Sequence, residues 1–340
     1  MRIRHILFVI FLVVVIVASL LLWRLQDLDL DGRRHEDFSF SANGLHLAGT
    51  LWLPDRPPLA ALVLVHGDGP QDRTSQGGYA PLVNSLLDAG IAVASWDKPG
   101  IGASQGNWLA QSMEDRADVV RTALVTLKGH FTHIPVGAMG FSQAGWVIPK
   151  LSHRDADFAV LIGGAVSWQQ QGDYYTDTRL RLAGMPAAER KREVVRLSRR
   201  DDRLFANPQV ESADLPPDLT SDRWAFIRKN RHADATKDLR GFNVPLLALW
   251  GADDLNVDAW HDAAIYRETV LSNNAANRII IVPDATHGLL KSVPYNAQLI
   301  TQWPWYVTLR FLLEGRHAWT PGVIDTISAW ITARGGPATG

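Results

Sequence analysis

Three residues far apart in this chain carry the side chains that acyl transfer requires: Ser142, Asp254 and His287. Ser142 lies in "GFSQAG" (140–145), directly after the short apolar run "IPVGAM". A serine set among small residues where a strand ends implies a tight, strained turn. Strain of about 1–3 kcal/mol at one residue persists where a site uses it. The hexapeptide also fits a serine that merely caps a helix, so the rest of the chain has to decide. A serine hydroxyl is a weak nucleophile until a base takes its proton, and an acid must then hold that base in the right tautomer. Downstream, "LALWGADDLNVD" supplies Asp253 and Asp254 after a strand, and "IIIVPDATHGLL" supplies His287 after another. Serine, acid and histidine in that order, each following a strand, is one of the known orders of such triads. Developing negative charge on the substrate oxygen needs two backbone N–H donors. Gln143, next after the serine, offers one. The loop "LVHGDGPQDRTS" offers the second at Asp68, between glycines 67 and 69 that let the backbone approach a substrate. His66 precedes the serine in the chain and is read as structural to that turn.

The elements that must position these residues are short apolar strands alternating with longer amphipathic stretches. Strands are expected in 61–67, 91–97, 134–140, 158–164, 244–251 and 278–284. Their nearly continuous apolar character suits strands covered on both faces, as in a parallel sheet. "APLVNSLLDAG" and "MEDRADVVRTALVTLKG" have apolar residues at helical spacing and end in glycine, and "QAGWVIPKLSH" is expected as a helical stretch after Ser142. Residues 37–54 read as an antiparallel hairpin turning at Asn43-Gly44. The order β-α-β-α predicts one doubly wound, mostly parallel α/β layer structure. One interval breaks the rhythm. Residues 168–241 contain charged helical patterns and a proline-rich middle but no strand signal, and are expected to form a helical lid over the carboxyl edge of the sheet.

The N-terminus adds a different expectation. After "MRIRH", residues 6–23 form an unbroken apolar run, long enough as a helix (~27 Å) to approach the ~30 Å hydrocarbon thickness of a bilayer. No small-x-small cleavage site follows it, so an uncleaved anchor is expected, with the lipid bilayer as a partner. With a five-residue tail before the span, the N-terminus is expected in the cytoplasm and the body outside it. The chain has 340 residues, a formal net charge of −1 and no cysteine. This excludes disulfides, thiolate metal sites and a cysteine nucleophile, and it gives no electrostatic case for a nucleic-acid partner.

Taken together, "LVHGDGPQDR", "SWDKPGIGASQG", "GFSQAG", "GADDLNV" and "ATHG" make the chain resemble an α/β-hydrolase over roughly residues 36–316. It is most similar to the branch that groups serine aminopeptidases, dienelactone hydrolases and bile-acid acyltransferase-like esterases. The resemblance implies an α/β-hydrolase core in 36–167 and 242–316, a lid in 168–241, a juxtamembrane linker in 24–35 and a C-terminal extension in 317–340. The acid of this family lies in a G-x-x-D-x-x-V pattern, which Gly251, Asp254 and Val257 fit, so the resemblance selects Asp254 over Asp253. Ala144 stands where the family has glycine. Pro99 stands where it has arginine, so Asp97 is expected to lack that partner, and neither is given a catalytic role. The implied activity is a serine hydrolase acting on a small-molecule acyl substrate, a carboxylic ester first, without metal or organic cofactor. An aminopeptidase is the alternative, which would want lid acids such as Glu211, Asp214 and Asp218 to hold a substrate amine. A non-catalytic binding protein on the same scaffold is a further alternative.

Overall fold

The structure is a computed structural model and describes residues 2–206, 215–217 and 219–334, apart from the side chains of residues 2–4, 9, 17, 18 and 20–23. The chain begins with helix α1 (Arg2–Leu25), then β1 (Arg34–Asp37), β2 (Phe40–Ala42), β3 (Leu45–Leu47), β4 (Gly49–Leu53) and β5 (Ala60–Val65). There follow α2 (Ala80–Asp88), β6 (Ile91–Trp96), α3 (Met113–His130), β7 (Val136–Phe141) and β8 (Ala159–Ile162). Helices α4 (Trp168–Leu182), α5 (Ala187–Ala206), α6 (Ser221–Asn230) and α7 (Thr236–Gly241) come next. The chain closes with β9 (Leu246–Gly251), α8 (Ala259–Val270), β10 (Arg278–Val282), α9 (Ser292–Tyr295), α10 (Trp305–Glu314) and α11 (Val323–Thr332).

Eight strands form one sheet in the order β1-β4-β6-β5-β7-β8-β9-β10. The pairs β1–β4 and β4–β6 are antiparallel, and every later pair is parallel. From β5 the chain goes first to β6 on one side and then to β7 on the other. That reversal opens a crevice at the carboxyl ends of β5 and β7, where ligands bind in open α/β sheets. The central strands β5 to β9 are almost wholly apolar because both faces are covered, whereas the edge strand β1 is charged and exposed. In β5, Ala61, Val63 and Val65 face the α3–α8 side of the core, while Ala60, Leu62 and Leu64 face the α2–α11 side, the two-residue alternation of a strand. The hairpin turns at Asn43-Gly44 with positive φ at both residues, and β2 and β3 pair as a separate two-stranded sheet.

Two expectations about secondary structure change. Residues after Ser142 do not form an α-helix; they form two 3-10 turns, Ser142–Trp146 and Ile148–Lys150. Pro149 has no N–H to continue an α-helical ladder there. Residues 317–340 are not wholly an extension beyond the core. Helix α11 buries Val323, Ile327 and Ile331 against α2 and the sheet, because their i, i+4, i+8 spacing makes one apolar stripe.

Interval 168–241 carries helices α4 to α7, with non-helical segments and no strand between them where described, and connects β8 to β9. At the N-terminus, the described side chains from Ile6 to Ile16 are exposed, and α1 packs against α10. Among the described residues no helix is long and apolar enough to cross a membrane. Part of the expected anchor's side chains lies outside those residues.

Candidate active site

Each site residue sits just past the carboxyl end of a parallel strand. β7 ends at Phe141, and Ser142 takes a φ of 52°, the left-handed region that costs an L-residue about 1–2 kcal/mol. The turn is tight because its neighbours are small. A Cβ on Gly140 would lie 2.5 Å from the Ala144 Cβ, and one on Gly145 would lie 2.9 Å from the Gly164 Cα. Ala144 is therefore small enough for the role that glycine has in the family pattern.

Asp254 follows β9 and is 3% exposed. Its Oδ1 accepts the N–H groups of Asn256 (2.7 Å) and Val257 (2.9 Å), which fixes the carboxylate. Its Oδ2 meets the Nδ1 of His287 at 2.7 Å. The G-x-x-D-x-x-V spacing thus has a physical basis. A Cβ at Gly251 would fall 2.2 Å from the Thr286 carbonyl oxygen, and Val257 supplies one of the N–H donors to the acid. Asp253 is exposed and points elsewhere, accepting a hydrogen bond from the Ser292 hydroxyl at 2.5 Å.

His287 lies in the loop after β10, against Gly163 at the end of β8, where a Cβ would lie 2.9 Å from the imidazole Cε1. Burial works against the imidazolium, but the Asp254 charge and hydrogen bond outweigh it and raise the His287 pKa above its ordinary 6.5. His66 behaves differently. It is buried, donates Nε2–H to the Trp96 carbonyl at 2.6 Å, and stacks on Tyr79. Burial pushes its pKa down to about 3, so it stays neutral and structural.

Asp68, Ser142 and Gln143 line one cavity of about 1060 Å³ walled by helices α4, α5 and α6, together with Trp146, Trp168 and Leu299. Gly67 packs against the serine, since a Cβ there would lie 3.4 Å from the Ser142 Cβ. The loop 66–69 is held by groups that sequence reasoning missed. Arg116 donates to the His66 carbonyl and to the Gln143 side chain, and Lys98 Nζ donates to the carbonyls of Gly67 and Gly69. The Asp68 carboxylate makes a bidentate pair with Arg223 of lid helix α6 at 2.9 and 2.6 Å. Burial alone would raise the Asp68 pKa, but the Arg223 and Lys98 charges hold it below the usual carboxylate range. Helix α4 also grips the acid loop, through the Tyr174 hydroxyl to the Asp254 carbonyl at 2.7 Å.

Asp97 is not left without a guanidinium. Arg73, from the loop after β5, pairs with it at 2.7 Å and replaces the arginine that Pro99 displaces. A signal for Arg116 was present in the sequence, since it falls on the buried side of α3 with Val120, Ala123 and Leu127. Glu211, Asp214 and Asp218, the acids considered for binding an amine, lie outside the described residues. Among the described residues no cluster of histidine, aspartate and glutamate offers a metal site.

A family model described as serine aminopeptidase, S33, matches residues 56–292. Among solved structures, the chain is similar to an esterase of Pyrococcus furiosus, at 12% identity and a TM-score of 0.56, covering 92% of this chain and 94% of that one. It is also similar to Est1E of Butyrivibrio proteoclasticus with bound ferulic acid, at 10% identity and a TM-score of 0.50, covering 87% and 96%. At these identities the likeness is one of fold. No curated protein matches the chain by sequence.

Proposed function

The chain belongs to the serine aminopeptidase S33 family of the α/β-hydrolases, and from that premise we propose that it is a serine hydrolase cleaving carboxylic esters through an acyl-enzyme on Ser142. The observation that carries this reading is the Asp254–His287 pair at 2.7 Å, on the same sheet edge as a serine held at positive φ. In this reading Ser142 Oγ attacks the ester carbonyl while His287 Nε2 takes its proton. Asp254 holds Nδ1–H, so that Nε2 is free to accept, and it stabilises the imidazolium that forms. The Asp68 and Gln143 amides receive the oxyanion. Collapse breaks the carbonyl–alkoxy bond, and His287 returns its proton to the leaving alcohol. Water, deprotonated by the same imidazole, then attacks the acyl-enzyme and releases the carboxylic acid and the free serine.

The family name makes release of N-terminal residues from peptides the second reading. It is favoured by Asp173, Glu193 and Asp201 at the cavity wall, which could meet a substrate amine. The same wall carries Arg179, Arg200, Arg223 and Arg231, so the cavity has no acidic excess, and the ester reading is preferred. A panel of nitrophenyl esters against aminoacyl nitroanilides separates the two. Ester turnover at least tenfold above anilide turnover is expected, and the reverse order overturns the ester reading. A chain that turns over neither, with Ser142→Ala identical to wild type, is the non-catalytic binding protein.

We propose that residues 6–23 anchor the protein, with the N-terminus cytoplasmic and the catalytic body outside. Its support is the apolar run itself and the surface beside it. On α10, which α1 touches, Trp305, Leu309 and Leu312 form an exposed apolar stripe, with Tyr306 adjacent. Tryptophan and tyrosine are favoured at the bilayer–water boundary. Membranes washed at high salt should keep the protein and detergent should release it; a mature form beginning after Trp23 overturns the anchor.

A further inference from the structure

We infer that Lys98 is a positioning residue for the oxyanion hole, fixing the direction of the Asp68 N–H through the carbonyl of the same peptide unit; this rests on the serine-hydrolase reading. A trans peptide is planar, so its C=O and N–H point in opposite directions. The Gly67 carbonyl and the Asp68 N–H belong to one such unit. Lys98 Nζ donates to that carbonyl at 2.6 Å and to the Gly69 carbonyl at 2.8 Å. It therefore grips the loop on both sides of Asp68 and turns the Asp68 N–H away from itself.

The loop needs such a grip. Asp68 lies between Gly67 and Gly69, and Gly69 has a φ of 94°. Glycines permit close approach of substrate, but they also permit the peptide between them to rotate. Arg116 holds the preceding unit through the His66 carbonyl, which leaves the 67–68 unit to Lys98. The placement of the lysine is itself unusual. It is 4% exposed, and its ammonium lies 4.9 Å above the Trp108 ring. Among the described residues its hydrogen bonds go to these two carbonyls and no carboxylate lies within ion-pair distance; Asp68, the carboxylate that its charge acts on, is paired with Arg223 instead. A buried ammonium without a paired carboxylate is costly, and the cost buries no apolar group that methionine would not bury as well. Lys98 lies in the loop directly after β6, so its grip ties the oxyanion loop to the sheet rather than to the lid.

The test uses the full-length protein in detergent micelles with Lys98→Met, Lys98→Gln and Lys98→Arg. Losing a correctly aimed oxyanion donor costs about 10²–10³ in turnover. For Lys98→Met, kcat on a nitrophenyl ester should fall about 100-fold with KM within threefold. Affinity for a phenylboronic acid, which becomes a tetrahedral anion on the serine, should fall in parallel. Lys98→Gln, with a shorter amide donor, should lie between, and Lys98→Arg should recover most of the turnover. Unchanged kcat in Lys98→Met overturns the assignment. So does a fall in kcat without loss of boronate affinity, or failure of both Met and Gln variants to fold, which assigns Lys98 to the fold alone. Wild-type protein that neither hydrolyses the ester nor binds the boronate means instead that the serine-hydrolase reading has failed.

Discussion

Replacing Asp254 with asparagine should cut ester turnover by on the order of 10⁴ while the fold survives, whereas the same change at Asp253 should cost less than about threefold. The asymmetry follows from the hydrogen bonds. Asp254 Oδ1 accepts two backbone N–H groups, from Asn256 and Val257. In the asparagine variant the amide oxygen must stay there, because turning the NH₂ toward two donors would leave them unpaired. The amide nitrogen then faces His287 Nδ1 in place of Oδ2, at the 2.7 Å contact. It donates where the carboxylate accepted, so the imidazole must keep its proton on Nε2, the atom that should take the serine proton. A 10⁴-fold loss corresponds to about 5.5 kcal/mol of transition-state stabilisation. At Asp253 an asparagine still accepts from the Ser292 hydroxyl and touches neither His287 nor the cavity. The assay is steady-state turnover of one nitrophenyl ester by both purified variants, with Ser142→Ala as zero and thermal unfolding as the control for folding. A dead Asp253→Asn beside a near-normal Asp254→Asn refutes the argument, and two active variants place the acid elsewhere.

Three further outcomes follow from the same geometry. kcat/KM should fall as pH drops through a pKa above 6.5, because Asp254 raises that of His287 and only the neutral imidazole can accept the serine proton; a rate flat from pH 5 to pH 8 contradicts a histidine base. Asp262 is buried on α8, and burial pushes its pKa from 3.8 to about 7. The folded state then holds a proton that the unfolded chain has lost, so stability falls as pH climbs from 3.8 to about 7. Asp262→Asn should therefore be more stable than wild type at pH 8, by on the order of 2 kcal/mol in chemical denaturation, with no gain at pH 4; an equal effect at both pH values rules out the titration. Finally, Ser142→Gly should be more stable than Ser142→Ala by about 1 kcal/mol in chemical denaturation, since only glycine takes a φ of 52° freely. Alanine as the more stable variant would mean that the turn is not strained.

Much of this site is written in local sequence, and the parts that are not have a physical reason. The strands are legible because burial on both faces demands unbroken apolar runs such as "ALVLV". The serine turn is legible because close packing of Gly140 and Gly145 admits nothing larger. The choice of Asp254 over Asp253 is legible through the register with Gly251 and Val257, which the contacts with the Thr286 carbonyl and the acid itself explain. Long-range polar partners are not legible in this way. Arg73 reaches Asp97 and Arg223 reaches Asp68 across 24 and 155 residues, and nothing local marks an arginine for one distant carboxylate. Lys98 sits beside an aspartate in a polar-looking loop, and only the fold shows that its ammonium turns inward. Helix α11 is not legible for another reason: an amphipathic helix does not say which surface it covers.

The central claim is that Ser142 is the nucleophile, and a fluorophosphonate probe tests it most directly. The probe phosphonylates an activated serine with loss of fluoride, leaving a mass increment that peptide mapping assigns to one residue. Purified wild-type protein should carry one adduct per chain, on Ser142, in step with loss of esterase activity, and Ser142→Ala should carry none. An adduct on any other serine, or full esterase activity in Ser142→Ala, would contradict the account.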